Sequence, residues 1–169
     1  MIRVVVTGSE STGKSELARA LAAHYGTAWA AEYVRDYMDA KGAPLDASDV
    51  ELIARGQIAR EDDAVARARR LVILDTDVLS TVIYARHYYG SAPEWIERAA
   101  QERRADLYLL LDIDVPWTAD AQRDRGDRRE EMHALFRGTL EGAVLIRGDW
   151  EQRRTRAIEA IDRVLSAEC

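Results

Sequence analysis

Apolar and polar positions along the chain alternate between two periods, short unbroken apolar runs and longer amphipathic stretches. Val4–Thr7 is a β-branched run, and Leu71–Leu74 and the Leu-rich segment from Asp106 to Ile113 are two further near-continuous apolar stretches. Runs without alternation suit strands covered on both faces. Thr27–Ala31 and Ala143–Ile146 are shorter and are read as the second and last strands. Between them the period becomes helical. Leu17, Leu21 and Tyr25 fall at i, i+4 and i+8 beside Ala18 and Ala22, which predicts a helix from about Gly13 to Tyr25 with Gly26 as its C-cap. Ile158, Ile161, Val164 and Leu165 mark one face of a C-terminal helix, capped by Gly148-Asp149.

The other helices are bounded by local signals. Glu32–Tyr37 opens a helical turn, and Lys41–Leu45, with Gly42 and Pro44, reads as a loop. Ser48-x-x-Glu51 reads as a capping box heading a long, charged helix that reaches about Arg70. A helix over Val78–Tyr89 ends at Gly90, and Pro93 opens another to about Arg104. Strands alternating with helices predict an α/β chain: a five-stranded parallel sheet, helices on both faces, crossovers of one hand. In such a sheet a ligand sits beyond the carboxyl ends of the strands. Glu32, Asp75, Asp77, Trp117 and Gly148-Asp149 all fall there.

The turn after the first strand carries the chemistry. Gly8-Ser9-Glu10-Ser11-Thr12-Gly13-Lys14-Ser15 is a phosphate-binding loop in strand–loop–helix context. Gly8 and Gly13 permit backbone angles that let successive N–H groups turn inward on a phosphate, and the next helix aims its positive end there. Lys14 supplies a cation for β- and γ-phosphates, and the Ser15 hydroxyl is placed for Mg²⁺. A further hydroxyl contact from a threonine at position 16 does not apply, because the residue there is Glu16. The loop's share of the cofactor site therefore ends at Ser15. The expected architecture is the three-layer P-loop NTPase fold, with ATP and Mg²⁺ as cofactors.

Composition narrows the class. The chain has 169 residues, 47% hydrophobic and 32% charged, with a net charge of −6. That suits one domain, 1–169, and the absence of an acid-free basic block argues against nucleic acid as a main partner. No apolar run approaches the ~20 residues of a membrane span. The chain enters a core strand at once, so no signal peptide is expected. The one cysteine, Cys169, is terminal, and a cytoplasmic location is expected. Oligomeric state is not legible.

Asp75 closes an apolar strand and is read as the metal-linked acid opposite Ser15; Asp77 fits the N-cap of the next helix, with ligand contact as the rival role. Glu32 is favoured as the base that accepts the acceptor's hydroxyl proton, with Asp36 and Asp75 as rivals. Arg35, at i+3 from Glu32, would pair with it or touch phosphate. Thr118–Glu131 holds Arg123, Arg125, Arg128 and Arg129 among five acids. It is read as an arginine lid that closes over the nucleotide, with Arg123 and Arg129 on the transferring group. Trp29, Tyr33, Trp117 and Trp150 stand near strand ends and could each stack on a flat ligand or simply pack. Gln57, unaided, reads as surface.

The whole chain resembles the ribosylnicotinamide kinase domain of NadR-type proteins. The resemblance lies in Gly8–Ser15, Glu32-Tyr-Val-Arg-Asp-Tyr37, Ile53-Ala-Arg-Gly-Gln57 and Leu74-Asp-Thr-Asp77. It continues through Asp106–Trp117, Arg123…Arg129 with Phe136, and Gly148-Asp-Trp-Glu-Gln-Arg153. It implies ATP-dependent phosphorylation of the 5′-hydroxyl of nicotinamide riboside, giving nicotinamide mononucleotide for NAD salvage. A hollow with Trp29 or Tyr33 beside Glu32 and Asp36 would favour that flat pyridinium cation. The resemblance also implies Gln57 near the sugar and the Gly148–Trp150 turn beside adenine. Larger NadR proteins carry an adenylyltransferase domain, and some a DNA-binding domain, ahead of the kinase. This chain begins at the kinase strand, so it is expected to make the mononucleotide without regulating DNA. Ala31 stands where the family often has an aromatic residue or Pro.

Two alternatives stay open: a kinase for another nucleoside or vitamin alcohol, and a non-catalytic ATP-binding switch. The chain has no asparagine, hence no Asn-Lys-x-Asp guanine motif. It also lacks a Leu-Ser-Gly-Gly-Gln signature and a C-terminal helical domain of the AAA+ motor kind.

Overall fold

The first strand, β1 (Ile2–Thr7), is the centre of the sheet. A computed structural model describes residues 1–116 and 128–167. After β1 come α1 (Lys14–Tyr25), β2 (Trp29–Ala30), α2 (Tyr33–Lys41), α3 (Asp49–Arg67) and β3 (Leu71–Asp75). Then follow α4 (Val78–Tyr89), α5 (Glu94–Glu102), β4 (Leu107–Leu111), α6 (Arg129–Thr139), β5 (Val144–Ile146) and α7 (Trp150–Ala167). The five strands lie in the order β2-β3-β1-β4-β5. Every pairing is parallel, as the alternating elements predict. Register runs from Ile2↔Leu71 to Val6↔Asp75, which sets Asp75 beside the last residues of β1.

Both faces of the sheet are covered, which is why its strands do not alternate. Ile2, Val4 and Val6 pack with Leu17 and Leu21 of α1 and Ala157 and Ile161 of α7. Val5, Val72 and Leu74 point the other way, onto Ala64, Ile83 and Phe136. Each such buried aliphatic side chain contributes roughly 1.5–3 kcal/mol. The predicted face of the last helix holds, since Ile158, Val164 and Leu165 pack on the first cluster with Ile161.

Two boundaries differ from expectation. Ser48 makes no capping bond. Asp49 takes over the junction, accepting from the Tyr37 hydroxyl at 2.6 Å, Lys41 Nζ at 2.5 Å and the Asp46 amide at 2.8 Å. Those donors, Lys41 first and Tyr37 next, hold the Asp49 carboxyl down to about 2. The Ser48 hydroxyl is spent elsewhere, donating to Asp46 Oδ1 at 2.5 Å. Helix α3 also stops at Arg67, because Ala68 turns extended to enter β3. Among the described residues, no helix is long and apolar enough to cross a membrane.

Candidate functional site

The carboxyl ends of β1, β3 and β4 meet at the loop between β1 and α1. Gly8 has φ 137°, and a Cβ there would sit 3.0 Å from the Leu111 carbonyl oxygen. Only glycine lets the loop pass that close to β4. Gly13 and Ser11 are also left-handed, with φ 84° and 56°. Inside the turn, the Thr12 hydroxyl and Lys14 Nζ both donate to the Ser9 carbonyl, at 2.9 and 3.0 Å. Lys14 is thereby held over the loop.

Ser15 and Asp75 meet as the sequence predicts. The Ser15 hydroxyl donates to Asp75 Oδ2 at 2.5 Å. The other oxygen, Asp75 Oδ1, is buried with no hydrogen-bond partner among the described residues. Burial, and then the charge of Glu32, push the Asp75 carboxyl up to about 6 against the opposing pull of Ser15 and Lys14. A buried acid with an unmatched oxygen next to a serine hydroxyl is an oxygen-donor set that suits a hard divalent cation. The next position belongs to the helix rather than to this set. Glu16, where a threonine would have added a hydroxyl, is exposed in the first turn of α1, and an acid is favoured there by the positive end of the helix.

From Lys14 a cavity of about 770 Å³ runs outward between α2, the following loop and α4. Glu32, Arg35 and Asp39 stand on one wall, Tyr84 and Tyr88 on the other. The two tyrosine rings are stacked, 6.3 Å apart and 6° from parallel. Arg35 lies 3.9 Å from Glu32, the predicted i+3 pair.

Several predicted residues lie elsewhere. Trp29 packs against the core under α1, with the Arg19 guanidinium 5.7 Å over its ring. Tyr33 points away from the cavity: its ring fills the space left by Gly56, where a Cβ would sit 2.1 Å away, and Arg60 covers it at 4.9 Å. Together these two rings line a separate shallow groove at the sheet edge. Asp36 is held by Arg60 at 2.5 Å and is 64% exposed, so it does not stand beside the phosphate loop as a base. Asp77 is buried as the N-cap of α4, accepting from the Ser80 amide at 3.2 Å and the Tyr108 hydroxyl at 2.8 Å. Its oxygens are committed to the fold rather than to a ligand.

Gln57 is not a surface residue; it is 2% exposed. Its Oε1 accepts from the Tyr33 amide at 3.0 Å and its Nε2 donates to the Thr76 carbonyl at 3.4 Å. Its place on the buried stripe Ile53, Gln57, Glu61, Ala64 was readable from helical spacing.

Two arginines reach the back of the loop. Arg129 donates to the Val115 carbonyl at 2.7 Å and the Ser11 carbonyl at 3.2 Å. Arg123, Arg125 and Trp117, like most of the predicted lid, lie outside the described residues. Arg153, to which the sequence assigned no role, donates to the carbonyls of Gly148, Thr12 and Asp112 at 2.8, 2.9 and 3.0 Å and pairs with Asp114. Asp114 also accepts from the Gly148 amide at 2.7 Å. The Gly148–Trp150 turn is so tied to the phosphate loop, with Trp150 packed against the core beside it.

The trifunctional NAD biosynthesis/regulator protein NadR of Escherichia coli (strain K12) is 31% identical over 176 residues, covering 98% of this chain and 43% of that protein. The chain thus spans less than half the length of that relative. A crystal structure of NadR protein in complex with NR superposes with a TM-score of 0.80 at 28% identity, over 96% of this chain and 50% of the other. A second, of NadR protein in complex with NAD and AMP-PNP, gives 0.75 at 26% identity, over 96% and 49%. A family profile described as AAA domain matches residues 3–153. With that profile spanning the loop, the Ser15–Asp75 pair and Arg153 alike, the chain belongs to the AAA domain family.

Proposed function

We propose that the protein transfers the γ-phosphoryl group of ATP to the 5′-hydroxyl of nicotinamide riboside, giving nicotinamide mononucleotide. The observation that carries this reading is the cavity opening on Lys14 with Glu32 on its wall. A switch needs no second chamber beside its loop lysine; a kinase does. Similarity to NadR structures with NR and with AMP-PNP supports the choice of acceptor and donor.

The backbone amides of Gly8–Gly13 and the Lys14 ammonium hold the triphosphate and stabilise charge as it develops on the γ-group. The acceptor hydroxyl oxygen forms the new O–P bond while the bond from the γ-phosphorus to its bridging oxygen breaks, and ADP leaves. The hydroxyl proton passes to the Glu32 carboxylate, which also orients the oxygen for attack. Arg129 donates to the Ser11 and Val115 carbonyls and so braces the loop that would hold the triphosphate. Ser15 and Asp75, whose Oδ1 is buried without a partner, would hold a magnesium ion, which would supply charge neutralisation on the phosphates. The acids Glu32 and Asp39 and the stacked tyrosines suit a pyridinium cation. A cytoplasmic site of action fits this chemistry.

A panel measuring ADP release with nicotinamide riboside, uridine, adenosine and thiamine tests the reading. Turnover with nicotinamide riboside well above the others is expected. Turnover with another alcohol and none with nicotinamide riboside would overturn it.

A further inference from the structure

Helix α2 begins immediately after Glu32. The first N–H groups of any helix lack intrahelical acceptors, and the residue at the N-cap normally turns its own side chain back to serve the second or third of them. Glu32 occupies that N-cap position and makes no such bond. The Tyr33 amide is served instead from another element, by Gln57 Oε1 of α3 at 3.0 Å. Gln57 holds its far end on the Thr76 carbonyl, one residue past Asp75. Arg60, one turn further along α3, donates to the Glu32 carbonyl at 3.0 Å and braces Asp36. Gly56, just before Gln57 on the same helix, makes room for the Tyr33 ring. Three residues of α3 therefore fix the start of α2, and the Glu32 side chain is left to face the cavity.

We propose that Gln57 is a positioning residue: by holding the Tyr33 amide it fixes the start of α2, and so keeps the Glu32 carboxylate turned to the acceptor hydroxyl. The role rests on the kinase reading above. Without the Gln57 acceptor the Tyr33 amide loses its partner, the start of α2 shifts, and the Glu32 carboxylate moves out of reach of the hydroxyl. The nucleotide half of the site, anchored by Lys14, Ser15 and Asp75, stays as it is.

The test uses the full chain with Gln57→Met, which keeps the side chain's length and removes its acceptor. With nicotinamide riboside and ATP, kcat is expected to fall about 30-fold while the KM for ATP changes less than about twofold. In a Glu32→Gln background, the same change should lower kcat by no more than about threefold, because the group it positions is already gone. A loss of the same size in both backgrounds, or an unchanged kcat in the parent, would overturn the proposal. A crystal structure of Gln57→Met reads it without activity. A shifted start of α2 with the Glu32 carboxylate turned from the cavity supports the proposal; a carboxylate still in place sinks it. If Met does not fold, Gln57→Ala enters the same cycle and the same crystal test. A parent enzyme inactive on nicotinamide riboside would end the kinase reading, while the crystal result would still decide whether Gln57 positions Glu32.

Discussion

Arg153 Nη1 donates to the Thr12 carbonyl at 2.9 Å, across 141 residues of sequence. The residue is 3% exposed, and its other donors go to Gly148, Asp112 and Asp114. Its guanidinium thereby ties the phosphate loop to the start of α7. Arg153→Met should cost about 3 kcal/mol of stability, since it strands several buried acceptors at once. Lys cannot reproduce the planar fork, so Arg153→Lys should recover less than half. Urea unfolding of the three proteins measures both, and equal midpoints would remove the claim.

Lys14→Ala should reduce phosphoryl transfer at least about 100-fold, because a fixed cation beside the γ-group is worth several kcal/mol. ADP release at saturating substrates reads the effect. Activity within tenfold of the parent would place the nucleotide elsewhere.

Asp75→Asn keeps the shape of the Ser15 pair and removes the negative charge. The concentration of magnesium needed for half-maximal activity should rise at least about tenfold. Thermal melts with ATP, with and without magnesium, provide an independent reading. An unchanged magnesium dependence would free Asp75 from the metal role.

Gly56→Ala places a methyl group where the Tyr33 ring lies, at 2.1 Å. Overpacking of this kind should cost about 1–3 kcal/mol. Tyr33→Ala in the same chain removes the clash, so the double variant should lose less than the sum of the singles. Additive losses would mean that the ring and the glycine do not meet in solution.

Glu61 is fully buried, donated to by Arg3 and Arg103 and by the Val78 amide at 3.0 Å. Burial, then the Asp77 charge, push its carboxyl up to about 7. A raised folded-state value means the native chain keeps its proton longer than the unfolded chain. Stability from this group is full below the ordinary 4.5 and is lost as pH rises to about 7, on the order of 3 kcal/mol. Glu61→Gln should flatten that decline. Urea midpoints from pH 4.5 to 8 for both proteins check the sign, and parallel curves would refute it.

The meeting of residues 8–15 with Asp75 was legible, because a phosphate loop needs fixed residue types at fixed spacing. The sheet was legible too, since unbroken apolar runs admit few alternatives. The acceptor half was not. Trp29 and Tyr33 stand near Glu32 in sequence, yet a two-residue strand and a helix start turn both rings to the outer side of the sheet. The tyrosines that do line the cavity, Tyr84 and Tyr88, lie on a helix apolar enough to pass as core. Arg153 and Gln57 were visible in one respect: both fall on the buried stripe of their helices, where a polar residue must have a partner. Spacing shows that such a partner exists but not which one, because the acceptors come from distant loops.

Strand β2 is two residues long and lies at the rim of the sheet, whereas the loop that grips phosphate springs from its middle. The wall bearing Glu32 hangs from that rim, outside the scaffold that carries Lys14 and Asp75. On the kinase reading proposed above, a different acceptor could be accommodated by remodelling this rim while the phosphate loop stays as it is.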